Sequence, residues 1–581
     1  MRILLLCHSF NSLTQRVLVE LKDAGHDVSI EFDVNDEVTE EAVALFGPEL
    51  IVAPFLKRAI PESVWRNNRC IVIHPGIKGD RGPSALDWAI MDGERDWGVT
   101  LLQANGEMDG GDIWASVDFT VREATKASLY RNEVTEAAVA ALKLTLARVA
   151  QPSFRPEALN ASHPDVRGRL RPPMRQPERA IDWRHDDTST VLRKIRAADG
   201  FPGVLDEIRG RGYYLYDAHR EGRLRGAAPG EIIAQRSGAI CRATTDGAVW
   251  ITHMRRAGGG DAFKLPATMV LGEALTGVPE APLAPHVQVD TPTWQPIRYE
   301  EQGPVGFLHF DFYNGAMGTR QCEELREAYV RARSRPTRVI ALMGGPDFWS
   351  NGIHLNLIEA SEHPAEESWR NINAMNDLVR EIILTDRQIT IAALAGNAGA
   401  GGVFLALGAD RVCARDGVIL NPHYKGMGNL YGSEYWTYLL PRRVAPAQAR
   451  AIVDNRLPLG VSQACSLGLI DDHFGATPTG FRMAIGRRGA ALASDSSFAE
   501  LLEAKNRQRT ADESAKPLET YRQEELERMR LNFFGFDSSY HVARYNFVHK
   551  LPRSRTPLYL AEHRRRGPAN TPRATAETAP A

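Results

Sequence analysis

The chain of 581 residues is poor in cysteine, and its six cysteines form no pattern that suits metal binding or disulfide pairing. They are scattered along the sequence, without a C-x-x-C pair and without histidine neighbours at ligand spacing. This distribution is typical of free, mostly buried thiols in a reducing cytosol. The sequence therefore predicts no zinc site, no other metal site and no disulfide framework.

Long apolar runs and an excess of one charge are also lacking. The formal net charge is −2 at pH 7, so nothing favours binding to nucleic acid or to a strongly basic partner. No apolar run reaches the length that spans a bilayer. The first strand-like run follows Met1 directly, without a basic segment or a small-residue cleavage site, so we expect no signal peptide. We predict a cytoplasmic protein with small-molecule substrates, without nucleic-acid or membrane partners.

The length predicts three or four domains, and the pattern predicts an α/β multidomain fold. The amino-terminal part alternates short apolar strands with helical stretches, which is the rhythm of an open parallel sheet. The predicted strands are residues 2–7, 28–32, 50–53 and 70–74, and an amphipathic helix is predicted over 13–24. Ligands of such sheets bind beyond the carboxyl ends of the strands, which is where His74 falls.

Four short motifs follow in order from the end of the fourth strand. They are His74-Pro75, Arg81-Gly82, Gly98-Val99-Thr100 and Asp109-Gly110-Gly111-Asp112-Ile113. Their order resembles the folate-dependent formyltransferases, which transfer the formyl group of 10-formyltetrahydrofolate. The resemblance implies a Rossmann-like domain in which residues 55–61 hold the pterin ring. It also implies that His74 exchanges a proton with the nucleophile and that Asp109 orients the imidazole.

One position departs from the formyltransferase pattern. The family's third catalytic residue, an asparagine two positions before the histidine, is Val72 here. Valine cannot donate a hydrogen bond to a tetrahedral oxyanion, and loss of one such donor costs about 2.7–4 kcal/mol in other enzymes. Either another group replaces the asparagine, or a more reactive acceptor such as a thiol makes the transfer easier.

A small β domain is predicted after a Pro- and Arg-rich linker over residues 151–179. Ile181-Asp182-Trp183 and the alternating strands that follow resemble the OB-like barrel of methionyl-tRNA formyltransferase. The predicted strands are residues 213–217, 230–235, 239–243 and 248–254. Basic residues of this region are interleaved with acidic ones, which favours a solvated face over a tRNA site.

A second centre is predicted in residues 341–442, around two glycine turns. Gly352-Ile353 and Gly399-Ala400-Gly401 each lie between an apolar strand and a helix, so backbone N–H groups point into a cleft. Two such turns side by side form an oxyanion hole. The pair resembles the crotonase (enoyl-CoA hydratase/isomerase) family, and the matching positions place the two N–H donors on Ile353 and Gly401.

The residues after these turns depart from a hydratase. Where hydratases carry two glutamates, this chain has Phe404 and His423, so addition of water to a double bond is not expected. The loop that closes the family's active site instead offers Tyr424, a phenol donor, and Glu434, a carboxylate base. We also expect a helix whose first turn contains Glu434 and whose cap is Ser433.

The order of the domains resembles the HypX family of NiFe-hydrogenase maturation proteins over nearly the whole chain. The resemblance implies that formyl passes from 10-formyltetrahydrofolate to coenzyme A, and that formyl-CoA releases carbon monoxide for the hydrogenase iron. Other hydrogenase maturation proteins are then the partners. The candidate contacts of coenzyme A are Gln15, Arg131, Asn314 and Lys550. Two alternatives stay open: a hydrolase that releases formate from 10-formyltetrahydrofolate, and a non-catalytic scaffold.

The predicted boundaries follow from these resemblances and from shifts in composition. The predicted parts are a formyltransferase-like domain (1–175), an OB-like domain (176–275), a linker (276–300), a crotonase-like domain (301–485), carboxyl-terminal helices (486–565) and a disordered tail (566–581).

Overall fold

The computed structural model describes residues 1–226, 228–259 and 262–566, which group into two compact units. Unit 1 contains residues 1–123 and 129–174 together with the described residues after Leu551. Unit 2 contains residues 124–128 and 175–551. The tail predicted from residue 566 lies, beyond Arg566 itself, outside the described residues.

Unit 1 is built on one six-stranded sheet in the order β2-β1-β3-β4-β5-β6. Its strands are β1 Arg2–Cys7, β2 Asp27–Phe32, β3 Leu50–Phe55, β4 Cys70–His74, β5 Asp96–Gln103 and β6 Ile113–Thr120. The first four strands pair in parallel as predicted, but β5 and β6 are antiparallel. Neither β5 nor β6 was among the predicted strands, and the connection between them is too short for the crossover that parallel strands require. The antiparallel register places Thr100 directly opposite His74.

Helices cover the sheet of unit 1. Ser12–Asp23 begins at Asn11, whose side chain accepts the N–H of Thr14, and it buries Leu13 and Val17. The other helices of this part of the chain are Asp36–Phe46, Glu62–Trp65, Ala85–Asp92, Lys126–Leu129, the π-helical turn Tyr130–Val134, Thr135–Val149 and Glu562–Arg566.

Unit 2 begins with an antiparallel sheet in the order β7-β8-β11-β10-β9, with β12 paired to β11. Its strands are β7 Val204–Ile208, β8 Arg211–Glu221, β9 Ile232–Arg236, β10 Ala239–Ala243, β11 Ala248–Arg256 and β12 Leu265–Pro266. The accompanying helices are Gln176–Arg179, Thr188–Ala198, Ala267–Leu271 and the 3-10 turn Gly272–Leu275. Alternate residues of the strands face the core, which confirms the small β domain that the sequence predicts.

The rest of unit 2 contains two further sheets, in the orders β13-β14-β15-β17-β19-β22 and β16-β18-β20-β21. The strands are β13 Ile297–Gln302, β14 Val305–Phe310, β15 Val339–Met343, β16 Phe348–Ser350, β17 Ile389–Leu394, β18 Asn397–Gly399, β19 Arg411–Ala414, β20 Ile419–Asn421, β21 Leu459–Gly460 and β22 Asp472–His473. β16 and β18 pair in parallel, with Ser350 opposite Ala398. Both predicted glycine turns follow these two strands, so the pairing brings the turns side by side.

Helices enclose these two sheets. They are the 3-10 turn Tyr313–Gly315 and the helices Thr319–Arg333, Leu355–Ala360, Pro364–Ile383, Gly401–Leu407, Trp436–Leu439, Pro446–Asn455, Val461–Ser466, Pro478–Ser494, Phe498–Ala515, Leu518–Phe534 and Ser539–Val548. Met529, Phe533 and Tyr540 of the last two helices belong to the same buried cluster as the strands. The carboxyl-terminal helices therefore share a core with the crotonase-like part.

Five of the six cysteine side chains are buried, as the sequence predicts, and Cys465 is half-buried. Within the described ranges, none of the helices combines the length and the apolar character needed to cross a bilayer.

Candidate active sites

The first candidate site, called the histidine site here, consists of His74, Asp80 and Asp109 in unit 1. His74 ends β4, and its imidazole lies between two carboxylates. Nε2 is 2.9 Å from Asp80 Oδ2, and Nδ1 is 3.5 Å from Asp109 Oδ2. The His74 side chain is only 5% exposed. The predicted pair of His74 and Asp109 is thus brought together, and a second carboxylate joins it.

Asp80 is a residue that the sequence reasoning missed. It lies six positions after His74 in a turn that contains Gly76, Gly79 and Gly82, and its side chain folds back onto the imidazole. A Cβ at Gly76 would come within 2.4 Å of His74 Nε2 and 2.5 Å of Asp80 Oδ2, so the close contact requires glycine there. The available signal was an acidic residue in a glycine-rich turn just after the histidine.

Asp109 is held by its own backbone and by a neighbouring amide. It adopts a left-handed conformation with φ +50°, and its Oδ2 accepts the N–H of Gly82 at 3.0 Å. Val72 is half-buried two positions before His74, on the same face of β4. Its side chain has no polar atom, so the role of the family's asparagine is not filled at this position.

The predicted linker over residues 151–179 is in part a strap against the histidine site. The N–H of Gly168 donates to Lys78 O at 2.9 Å, and the N–H of Arg171 donates to Arg81 O at 3.0 Å. Arg171 Nε also lies 3.8 Å from Asp80 Oδ1. The interpretation of this segment only as a linker was wrong. It was based on composition, but the segment binds to the site through backbone hydrogen bonds, which form without an apolar side-chain pattern.

The second candidate site, called the glycine-turn site here, contains Ile353, Gly401, Tyr424 and Glu434 in unit 2. A Cβ placed on Gly352 would lie 3.3 Å from the nitrogen of Gly401, so the two turns are in direct contact. Among residues 1–226, 228–259 and 262–566, neither the N–H of Ile353 nor that of Gly401 donates a hydrogen bond. Their joint action on a carbonyl oxygen stays a prediction.

Tyr424 and Glu434 meet beside this turn. Tyr424 Oη lies 2.5 Å from Glu434 Oε2 and 3.0 Å from the carbonyl oxygen of Ser433. A Cβ on Gly401 would lie 2.2 Å from Glu434 Oε1, so the carboxylate sits directly over the second glycine turn. Burial raises the pKa of Glu434 to about 7, and burial together with the Glu434 charge raises the pKa of Tyr424 well above 10. Glu434 can therefore take up or release a proton near neutral pH, whereas Tyr424 stays protonated there.

The helix expected at Glu434 begins later. Glu434 and Tyr435 are both left-handed, with φ +60° and +58°, and the helix starts at Trp436. The side chain of Ser433 does not cap it, because Ser433 Oγ bonds to Asn376 and lies 3.3 Å from Glu525 Oε2. The helix-cap prediction was wrong because side chains from distant helices take the place of a local cap.

Glu525 is the second residue that sequence reasoning missed. Its Oε2 accepts the N–H of Tyr435 at 2.9 Å, and its Oε1 accepts the N–H and the hydroxyl of Thr437 at 2.8 and 2.6 Å. Asn376 Oδ1 accepts the N–H of Glu434 at 2.8 Å. Burial raises the pKa of Glu525 to about 8, with the Glu434 charge adding to the effect. Glu525 thus fixes the loop that carries Glu434.

The two positions of the missing hydratase glutamates are structural in character. Phe404 is fully buried and stacks on Tyr424 with ring centroids 5.4 Å apart. Burial lowers the pKa of His423 to about 4, so its ring is neutral at pH 7. Neither position offers a carboxylate that could activate water.

The four candidate coenzyme A contacts occupy ordered local structure. In unit 1, Gln15 donates to Phe10 O at 3.0 Å, and Arg131 lies in the π-helical turn. In unit 2, Asn314 is left-handed, and Lys550, also left-handed, follows the helix Ser539–Val548. Their contact with coenzyme A stays a prediction.

Three family models match the chain in order. Residues 1–146 match the formyl transferase model, residues 173–262 the formyl transferase C-terminal domain, and residues 313–527 the enoyl-CoA hydratase/isomerase model. These matches confirm a Rossmann-like formyltransferase domain, a formyltransferase C-terminal domain and a crotonase-like domain. The boundaries between the domains stay a prediction.

Individual relatives cover either nearly the whole chain or a part of it. The hydrogenase maturation factor HoxX of Bradyrhizobium diazoefficiens is 54% identical over 98% of this chain and 98% of that protein. The crystal structure of HypX from Aquifex aeolicus in complex with tetrahydrofolic acid is 50% identical, with a TM-score of 0.94 over 97% of this chain and 99% of that one. Methionyl-tRNA formyltransferase of Bacillus licheniformis is 23% identical over 39% of this chain and 71% of that protein.

Proposed function

Because the chain belongs to the HypX/HoxX family of hydrogenase maturation factors, we propose that it makes carbon monoxide from the formyl group of 10-formyltetrahydrofolate. The formyl group first passes to the thiol of coenzyme A, and formyl-CoA then loses carbon monoxide. The HypX structure from Aquifex aeolicus contains tetrahydrofolic acid, which supports folate as the donor. The formyl transferase and enoyl-CoA hydratase/isomerase domains supply one site for each step.

The first step belongs to the histidine site. The sulfur attacks the formyl carbon, the bond to the folate nitrogen breaks, and the thiol proton ends on that nitrogen. His74 exchanges this proton and stabilises the oxyanion of the intermediate, while Asp109 supports the charged imidazole. A thiol is a better nucleophile than an amine of similar basicity, which makes a transfer without the asparagine at Val72 feasible.

The second step belongs to the glycine-turn site. The N–H groups of Ile353 and Gly401 bind the thioester oxygen, and Glu434 takes the formyl proton. The carbon–sulfur bond breaks with its electron pair on sulfur, which Tyr424 protonates. Carbon monoxide and free thiol result, so the net change is transfer of one proton from carbon to sulfur. The proton on Glu434 then returns to Tyr424 along their 2.5 Å contact.

One observation carries the second step: a buried carboxylate and a phenol, in direct contact, lie over the second glycine turn. A hydratase needs two carboxylates to hold water, and this site has Phe404 and His423 at those positions. A single carboxylate with a pKa of about 7 suits removal of a formyl proton near neutral pH. We propose that the product goes to the iron of NiFe-hydrogenase through other maturation proteins in the cytoplasm.

The proposal is tested by incubating the protein with carbon-labelled 10-formyltetrahydrofolate, with and without coenzyme A, and trapping any released gas on a haem protein. Labelled gas that depends on coenzyme A is expected. Labelled formate without that dependence would instead support the hydrolase, and no turnover at all would support the scaffold.

Two variants assign the steps to the two sites. His74→Ala should abolish formyl consumption. Glu434→Gln should stop gas release and leave formyl-CoA to accumulate, because the formyl transfer occurs at the other site. Glu527→Gln, an exposed change on the helix that carries Glu525, is the matched control and should keep the parent's rates. Gas release by both active-site variants at the parent's rate would refute the assignments.

A further inference from the structure

We propose that Asp80 is a positioning residue for formyl transfer, which holds His74 at Nε2 and so leaves Nδ1 to the reacting atoms. The inference rests on the proposed function and deepens its first step. It also changes the expected order of importance of the two carboxylates, since Asp109 is the partner that the formyltransferase resemblance selects.

The shorter and more buried contact of His74 is the one with Asp80. The distance from Nε2 to Asp80 Oδ2 is 2.9 Å, and the Asp80 side chain is 1% exposed. The distance from Nδ1 to Asp109 Oδ2 is 3.5 Å, and the Asp109 side chain is 16% exposed. Good N–H···O hydrogen bonds span about 2.7–3.2 Å, so only the Asp80 contact falls in that range.

His74 is the main compensation for the Asp80 charge. Within the described residues, Asp80 Oδ1 has no hydrogen-bond donor. Arg171 Nε is 3.8 Å away from it, and the Arg171 guanidinium bonds at 2.5 Å to Asp92. A buried carboxylate is stable only with a donor or a cation beside it. Asp80 therefore requires a proton on Nε2 of His74.

This requirement fixes the state of the opposite nitrogen. With Nε2–H donating to Asp80, Nδ1 is either a lone pair that takes a proton or an N–H that gives one. That is the arrangement by which a buried aspartate sets the tautomer in serine hydrolases, with the roles of the two nitrogens exchanged. Asp109 lies at the Nδ1 edge of the ring, where it can support a charged imidazole.

The fold holds Asp80 in place from two directions. Its own N–H donates to Ile77 O at 2.9 Å, which closes the turn after His74. On the other side, a Cβ on Gly168 would come within 1.9 Å of the Asp80 nitrogen, so the strap over residues 166–171 lies tightly against this residue. The carboxylate is thus pre-organised, as a positioning group must be.

Asp80→Asn is the direct kinetic test. An asparagine amide can donate to Nε2, which would move the ring proton to Nδ1 and remove the base. We expect kcat for formyl transfer to fall roughly 10²- to 10⁴-fold, with KM for 10-formyltetrahydrofolate unchanged. Asp96→Asn, an exposed change in the same sheet, is the matched control and should behave like the parent.

Nitrogen NMR of 15N-histidine-labelled protein gives a test that does not need turnover. The His74 signals are identified by their loss in His74→Gln. The parent should show a solvent-protected proton on Nε2, and Asp80→Asn should shift the proton toward Nδ1. If the parent consumed no 10-formyltetrahydrofolate, the proposed function would fail. The spectrum would still show whether Asp80 holds the proton on Nε2 of His74.

Two results would overturn the proposal. One is a parent spectrum in which Nε2 of His74 carries no proton, which decides the matter even if Asp80→Asn does not fold. The other is an Asp80→Asn protein with the parent's tautomer and the parent's kcat, because Asp80 would then be only part of the packing.

Discussion

Glu434 should make the protein less stable as the pH rises, because its carboxyl is buried and none of the described cationic side chains forms an ion pair with it. Burial raises its pKa from an ordinary 4.5 to about 7. Between these two values the folded state binds more protons than the unfolded state, so the free energy of unfolding falls as the pH increases. At 1.36 kcal/mol per pH unit, the loss is about 3 kcal/mol by pH 8, as an order of magnitude.

Glu434→Gln removes this loss, since glutamine is neutral at every pH. Its carbonyl oxygen can still accept from Tyr424, so the variant should lose at most about 1 kcal/mol in hydrogen bonding. Relative to the parent, the variant should therefore gain about 2.5 kcal/mol between pH 5 and pH 8. Glu525 adds to this gain. The Glu434 charge contributes to the raised pKa of Glu525, so Glu434→Gln also lowers the pKa of Glu525. Gas release should stop at both pH values.

Urea unfolding followed by tryptophan fluorescence at pH 5 and pH 8 measures the difference. The parent, Glu434→Gln and the exposed-site control Glu527→Gln are compared at each pH, so that only differences between proteins are used. An identical difference between parent and Glu434→Gln at both pH values would refute the reasoning, because the pKa of Glu434 would then be the same in the folded and the unfolded state. A matching gain by Glu527→Gln would show that the effect is not specific to the buried site.

Three further predictions concern other residues. Gly401→Ala places a Cβ 2.2 Å from Glu434 Oε1, so gas release should fall about 10²-fold or more while formyl-CoA is still formed. The control is Gly486→Ala, whose Cβ would lie at ordinary contact distances. Equal rates of gas release for the two variants would contradict the geometry. In Glu525→Gln, the glutamine side chain cannot accept every N–H that the carboxylate accepts. The melting temperature and the rate of gas release should therefore both fall, while formyl transfer is unchanged. Loss of formyl transfer together with gas release would contradict this prediction. His563→Ala removes the buried hydrogen-bond contact between His563 Nε2 and Glu31 Oε2 at 3.0 Å, and leaving a buried partner unpaired costs about 1–3 kcal/mol. Limited proteolysis after residue 551 should therefore accelerate, and parent-like resistance would contradict this prediction.

Strand and glycine patterns were enough to predict which elements meet at the two candidate sites. His74 is at the end of β4 because apolar residues 70–73 form a buried strand, and the parallel pairing of β16 and β18 brings the two glycine turns together. Both predictions depend on strands and turns, which can be predicted from hydrophobic periodicity and turn residues in the sequence.

The supporting carboxylates could not be predicted in the same way. Asp80 contacts His74 because a strap some ninety residues later packs against its loop, and Glu525 reaches the Glu434 loop from a helix of similar separation in the chain. Such contacts arise from tertiary packing, which leaves no periodic trace in the sequence. The helix cap expected at Ser433 failed for the same reason, since Asn376 and Glu525 bind the loop from outside.

The backbone of the glycine-turn site favours an enzyme over a scaffold. Ala400, Glu434 and Tyr435 are all left-handed without being glycine, and each such residue costs about 1–3 kcal/mol. The raised pKa values of Glu434 and Glu525 show a further cost of buried charge. A protein that only bound partners would be more stable with glycine and apolar residues at these positions. Hydrogen bonds from the N–H groups of Glu434 and Tyr435 to Asn376 and Glu525 hold this strained loop. The loop places the Glu434 carboxylate against the Gly401 turn, as the proposed reaction requires.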